Sequence, residues 1–299
     1  MTVDWTVAGK VGIVTGSNTG LGRVTALELA RRGTHVFLAS RSKEKAEPVV
    51  EAICREVGHD RVEYLPLDLA SLRSIRRAAD TFLVRNLPLH VLINNAGQYG
   101  QTGYTEDGFQ MTFGVNYLGH YLFTRLLLER LQASAPARIV HVSSDVHNRA
   151  KGIDWVRVTR PSRWPGIGEY GVSKLANVLF NVALAQRLGG TAVTTFAAHP
   201  GGVATDIHRR IPRPIRALVT ASLLTPEEGA RTQLRCATDP ALSEETGLYY
   251  AKEQAKEPSP LSRDTDLVAE LWRRSEAWVS QYLWRDLIPY CRAERPDCV

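Results

Sequence analysis

Short runs of β-branched and aliphatic residues alternate along this chain with longer stretches in which apolar positions recur every three or four residues. The short runs are Val11–Thr15, His35–Ala39, Val62–Leu67, Val91–Asn94, Ala137–Val142 and Ala192–Ala198. Their nearly unbroken hydrophobicity predicts strands covered on both faces, not strands with one face in water. Helical period runs through Leu21–Arg32, Lys43–Val57, Ser71–Arg85, Gly108–Leu131 and Tyr170–Leu188. Strand and helix in alternation predict a parallel sheet with helices on both sides. Gly247–Tyr250 adds a last strand. The expectation is a doubly wound α/β fold, one domain over residues 1–299 around a mostly parallel, seven-stranded sheet. Ligands of such sheets sit beyond the carboxyl ends of the strands, so functional motifs are expected directly after the apolar runs.

Composition narrows the class. Of 299 residues, 44% are hydrophobic and 23% charged, an ordinary globular balance. Cys54, Cys236, Cys291 and Cys298 are scattered and form no CxxC pair. That argues against a disulfide framework or a structural zinc site and fits a reducing cytoplasm. His120 and Arg125 interrupt the long apolar helix, and no stretch reaches the ~18 apolar residues of a membrane span. The opening MTVDWTVAGK carries Asp4 and lacks the apolar core of a signal peptide. A cytoplasmic chain without a transmembrane anchor is expected. The net charge of +6 and pI of about 9.2 suggest nucleic acid at first sight. Only Arg209, Arg210, Arg213 and Arg216 cluster, however, and no reader motif accompanies them. A solvated basic surface is the expectation.

The first strand runs into Thr15-Gly16-Ser17-Asn18-Thr19-Gly20-Leu21-Gly22, on which a helix opens. Glycines here permit a tight turn and close approach of the backbone to a pyrophosphate, while the helix N-terminus offers free N–H groups. This predicts a dinucleotide site. About 20 residues on, an NAD site places Asp or Glu to accept from the ribose 2′-hydroxyl. This chain has Ser40 there, followed by Arg41. A guanidinium pairs with a 2′-phosphate where a carboxylate repels it, so NADP(H) is favoured over NAD(H). Asp68-Leu69 follows the third strand, at the adenine position. Asn94-Asn95-Ala96-Gly97 ends the fourth with the small and polar residues that a passing nucleotide requires.

Tyr170 and Lys174 stand at i and i+4, on one helix face. A phenol ionises near pH ~10, and a neighbouring ammonium favours the phenolate, making the pair a candidate acid–base. The fifth strand ends in Ser143-Ser144, which brings a hydroxyl to the sheet edge, where it can hydrogen-bond a substrate carbonyl. Asn116 lies in an otherwise apolar helix between Gly114 and Gly119. An interior asparagine calls for a polar partner, such as a water leading to Lys174.

These motifs, in this order, together with His199-Pro200-Gly201-Gly202-Val203-Ala204-Thr205, resemble the short-chain dehydrogenases/reductases over nearly the whole chain. Ser17–Gly22, Ser173–Phe180, Thr225–Ala230 and Gly247–Tyr250 are similar to their retinol-dehydrogenase-like branch, which includes WW-domain oxidoreductases. The resemblance implies a Rossmann fold and a catalytic tetrad of Asn116, Ser144, Tyr170 and Lys174, with Ser144 and not Ser143 as the family's serine. It implies cofactor contacts from Gly16–Gly22, Arg41, Asp68, Leu69, Asn94–Gly97, Tyr170, Lys174, Pro200 and Gly201. Val203 and Thr205 would hold the carboxamide. It also implies a homodimer formed through the helices that carry Asn116 and Tyr170.

The function expected is hydride transfer between nicotinamide and an apolar carbonyl or alcohol. A non-catalytic NADP(H)-binding sensor on the same fold is the alternative, and a complete tetrad argues against it. His141, Asp145 and His147 match no metal-ligand spacing, and no GxSxG elbow supports a hydrolase. The chain is short for the sugar-binding domain of an extended epimerase. Residues 207–224 are expected to form a lid. The segment between Ser144 and Tyr170, with Trp155 and Trp164, and the tail 281–299 carry no readable code.

Overall fold

A computed structural model describes residues 5–161, 166–203 and 223–283. Thr205, Trp164, most of the expected lid and the tail beyond residue 283 lie outside the described residues. The strands are β1 (Val11–Thr15), β2 (His35–Ser40), β3 (Val62–Pro66), β4 (Val91–Asn94), β5 (Ala137–Val142), β6 (Val193–His199), β7 (Tyr249–Ala251) and β8 (Gln254–Lys256). They form one sheet in the order β3-β2-β1-β4-β5-β6-β7-β8, parallel except for the antiparallel β7–β8 pair. The order reverses between β1 and β4, and the glycine loop, Arg41, Asp68-Leu69, Asn95–Gly97, Ser143-Ser144 and Pro200–Val203 fall just past the carboxyl ends of strands.

The helices are α1 (Gly20–Arg31), α2 (Lys43–Val57), α3 (Leu72–Leu83), α4 (Met111–Phe113), α5 (Gly119–Ala133), α6 (Ile167–Arg187), α7 (Pro226–Thr238) and α8 (Thr265–Leu283). A π turn, Gly114–Leu118, joins α4 to α5. Side chains alternate along each strand, so each apolar strand feeds two cores. Ile13, Phe37, Leu92 and Ile139 pack under α3, α5, α6 and α8, whereas Val14, Leu38, Ile93 and Val140 pack under α1, α2 and α7. That double burial is why the strands read as continuous apolar runs.

The structure departs from expectation at three places. The sheet has eight strands, not seven. β8 is three exposed residues, and Lys252 and Glu253 make its hairpin turn at φ +52° and +60° without the Asn-Gly that usually marks such a turn. Helices α7 and α8 extend the expected set. A capping box opens α7: the Glu228 amide donates to Thr225 Oγ1, the Thr225 amide donates to the Glu228 carboxylate, and Pro226 fills the first turn. α8 lies across α5 and α6. Arg125 pairs with Glu276 at 2.6 Å, Tyr117 and Ser275 hydroxyls meet at 2.6 Å, and the Arg187 guanidinium stacks 3.8 Å from the Trp272 ring centre. α8 thus packs against the helices through which pairing was expected. No helix among the described residues is long and apolar enough to cross a membrane.

Candidate active site

The glycine loop closes through the backbone. Gly16 sits at φ +65°, and a Cβ on Gly22 would lie 2.4 Å from the Gly16 carbonyl oxygen, so α1 starts against the loop itself. The Ser17 hydroxyl donates to the Val14 carbonyl at 2.8 Å, which closes the turn from inside. Asn18, Thr19, Gly20 and Leu21 carry the chain into α1, whose first turn holds no acidic residue. The N–H groups of that turn favour an anion.

Thr15, at the end of β1, fastens this loop to the next. Its Oγ1 accepts from the amides of Asn95 and Ala96, both at 2.9 Å. Asn95 Nδ2 returns a bond to the Thr15 carbonyl at 2.7 Å. Asn94 faces the other way and donates to Thr124 Oγ1 at 2.8 Å and His141 Nδ1 at 3.1 Å. The two asparagines thus build the crevice wall with their side chains.

At the end of β2, Ser40 is buried and its hydroxyl has no partner among the described residues, and next to it Arg41 is exposed with no ion pair among them. Past β3, Asp68 Oδ1 accepts from the Ala70 amide at 3.0 Å, and Leu69 is buried. Past β6, Pro200 and Gly201 are half-buried, and Val203 is buried and bridges to Leu224. Thr205 lies outside the described residues.

Ser144, Tyr170 and Lys174 come together. Ser144 stands two residues past the end of β5, and its hydroxyl acts on the Tyr170 phenol, tending to lower its pKa. Tyr170 is half-buried in the first turn of α6, with Lys174 Nζ 5.5 Å from its ring centre. Lys174 is 2% exposed and donates to the Val142 carbonyl at 2.7 Å. Ser143 turns away, donating to the Lys174 carbonyl at 2.9 Å, and so anchors the helix.

Burial reverses one expectation. It pushes the Tyr170 phenol up to about 12, against the opposing influence of the Ser144 hydroxyl, and it pushes Lys174 down to about 7. Desolvation penalises both charged forms at once. The protein alone therefore holds Tyr170 as a protonated phenol.

Asn116 sits fully buried in the π turn. Its Oδ1 accepts from the Gln98 amide at 2.8 Å, and its Nδ2 donates to the Gln98 carbonyl and to Ser173 Oγ, each at 3.0 Å. The side chain spends itself on holding the 95–99 loop against α6. A Cβ on Gly97 would lie 3.6 Å from Lys174 Nζ and 3.7 Å from Asn116 Oδ1, so the three converge.

Several residues near the site are not assigned to it by the sequence. Tyr99 meets Tyr170 edge to face, with ring centres 5.5 Å apart. Asn177 donates to the same Val142 carbonyl as Lys174, at 3.2 Å. Asp145 links three strand ends, accepting from Tyr249 at 2.7 Å and pairing with His199 at 3.1 Å. Tyr99 stands two residues past the glycine of Asn94–Gly97, and this adjacency was the signal available.

These residues fit a dinucleotide. Ser40 is a buried hydroxyl with no partner among the described residues, at the place where the sequence predicts the ribose. Lys174 is a buried ammonium with three N–H donors and one hydrogen-bonded acceptor among the described residues.

Comparison with known proteins agrees with the geometry. Residues 10–215 match the short chain dehydrogenase family model. The chain is 42% identical over 270 residues to human retinol dehydrogenase 11, covering 88% of this chain and 84% of the relative. It is equally 42% identical over 274 residues to bovine dehydrogenase/reductase SDR family member 13, covering 89% and 72%. Among solved structures, a Mycobacterium paratuberculosis protein superposes with a TM-score of 0.75 at 32% identity, covering 94% of this chain and 97% of that one. A Beutenbergia cavernae protein, described as an NAD(P)-dependent gluconate 5-dehydrogenase with bound NADP, gives 0.66 at 26% identity, covering 83% and 96%. Taken with the crevice at the sheet's switch point, these matches place the chain in the short-chain dehydrogenase/reductase family, retinol-dehydrogenase-like branch, as a nicotinamide-dependent oxidoreductase of CH–OH/C=O groups.

Proposed function

We propose that this chain is an NADP(H)-dependent carbonyl reductase or alcohol dehydrogenase acting on an apolar substrate, with Tyr170 as its general acid–base. The observation that carries the reading is the convergence of Ser144, Tyr170 and Lys174 at the carboxyl edge of β5. Bound in the crevice, the nicotinamide supplies or accepts the hydride. Gly16–Gly22 would hold its pyrophosphate, Arg41 its 2′-phosphate, Asp68 and Leu69 its adenine, and Lys174 its ribose hydroxyls. Pro200, Gly201, Val203 and Thr205 would hold the carboxamide end.

The Ser144 hydroxyl orients the substrate's carbonyl oxygen toward Tyr170. Tyr170, protonated in the protein alone, gives its proton to that oxygen. Lys174, with water toward Asn116, resupplies the phenol. Oxidation runs the same proton path backwards and requires the phenolate.

The apolar substrate is supported by the partly exposed Tyr99, Ile167 and Leu224, set beside Tyr170 and Gly201. The names of the retinol dehydrogenase relatives point the same way. Purified chain mixed with NADPH and a panel of aliphatic, aromatic and polyene aldehydes and ketones is expected to oxidise NADPH with at least one of them. Tight NADPH binding with no turnover across the panel overturns the reading and favours the sensor.

A further inference from the structure

His120 is a buried titratable side chain that the proposed chemistry does not use, yet it lies inside the framework of the site. It is 1% exposed and stands one turn after Asn116. Its Nδ1 is 3.0 Å from the Asn116 carbonyl oxygen, and its Nε2 is 2.9 Å from Thr15 Oγ1.

The proton positions follow by counting. A carbonyl oxygen only accepts, so Nδ1 carries the imidazole proton and donates to Asn116. A neutral ring holds one such proton, which leaves Nε2 an acceptor. Thr15 Oγ1 already accepts from two amides, which uses both its lone pairs. Its own proton then goes to Nε2 at 2.9 Å in preference to the Ile93 carbonyl at 3.4 Å. Burial beside Lys174 pushes the ring down to about 4, so a second proton stays off. The result is one directed chain, from the amides of Asn95 and Ala96 through the Thr15 hydroxyl and His120 to the Asn116 carbonyl.

We propose that His120 is a positioning residue: a neutral imidazole that ties the π turn to the end of β1 and so holds Asn116 in register with Lys174 and Tyr170. The inference rests on the catalytic reading above. The π turn needs such a hold because its bonding is irregular, with the Gly119 amide reaching back to the Gly114 carbonyl. Asn116 passes that position on to Gln98, and the next residue is Tyr99, against Tyr170. The cofactor cradle is held independently, because Asn95 and Ala96 bond to Thr15 whether or not His120 does. Losing His120 is therefore expected to cost turnover and to spare dinucleotide affinity.

The test compares His120→Phe and His120→Met with His120→Gln. Glutamine keeps one donor and one acceptor on a planar group, and the apolar pair keeps only bulk. His120→Met preserves the comparison if His120→Phe fails to fold. The apolar variants are expected to lose about tenfold to a hundredfold in kcat, with the Kd for NADPH, read by fluorescence titration, within about threefold of wild type. His120→Gln is expected to retain most of kcat. Amide hydrogen exchange should quicken across residues 114–121 in the apolar variants and stay unchanged in β1. Wild-type kcat in the apolar variants, equal losses of kcat and NADPH affinity, or a glutamine variant no better than the phenylalanine one overturns the proposal. Normal turnover by Tyr170→Phe would remove the catalytic reading instead, and the exchange comparison would still decide whether His120 holds the turn.

Discussion

Gly229 and Val203 come from helix α7 and from the loop after β6, and they touch so closely that a Cβ on Gly229 would sit 2.4 Å from Val203 Cγ2. The same Cβ would meet Leu21 Cδ1 at 3.1 Å, in the first turn of α1. Gly229 therefore joins the two loops proposed to hold the pyrophosphate and the carboxamide end of the dinucleotide. Gly229→Ala must push Val203 or α7 outward. It is expected to cost about 1–3 kcal/mol of stability and to weaken NADPH binding more than substrate binding. Thermal melting and NADPH titration together check this, and unchanged affinity would detach Gly229 from the site.

Arg41 is exposed, and its guanidinium has no partner among the described residues. Hydrogen bonds to a charged group contribute about 1.5–3 kcal/mol, and about 1.4 kcal/mol is a factor of ten. Arg41→Ala is thus expected to raise the KM for NADPH at least about tenfold and to leave the KM for NADH nearly unchanged. Steady-state kinetics with both cofactors checks it. An equal effect on both would deny Arg41 any contact with the 2′-phosphate.

Lys174 imprints a pH dependence on stability. Burial lowers its folded pKa from 10.5 to about 7. Between those values the unfolded chain binds a proton that the folded chain has released. This group's contribution to folding therefore rises with pH across that window, by at most about 1.4 kcal/mol per unit. In urea unfolding, wild type minus Lys174→Met is expected to show a positive slope between about pH 7 and pH 10. A flat difference would place the ammonium in water.

The sequence is legible where local chemistry and tertiary role coincide. The β1 run, the Gly16–Gly22 turn and the Tyr170–Lys174 spacing all read correctly, because burial on two faces, a tight turn and one helical turn leave local marks. β8 left none: its residues are exposed, and Lys252-Glu253 adopt a turn that those residue types seldom signal. α7 was not predicted, although Thr225, Pro226 and Glu228 carry the local signal of its capping box. α8 is anchored by Trp272 under Arg125 and Arg187, partners distant in the chain. Asn116 was flagged as needing a polar partner, but the path that brings the Gln98 backbone to it is tertiary. The direction of the Tyr170 shift was misread for the same reason, since i and i+4 spacing shows the lysine's proximity and not the desolvation that outweighs it.

The account stands or falls on the Tyr170 hydroxyl as the group that moves the proton. Tyr170→Phe removes that one oxygen and keeps the ring against Tyr99. The direct measurement is NADPH oxidation by wild type and by this variant, with the best carbonyl substrate of the panel, beside NADPH binding by both. The account predicts equal affinity for NADPH and a kcat lower by about 10²–10⁴-fold. Turnover by the phenylalanine variant at the wild-type rate would contradict it.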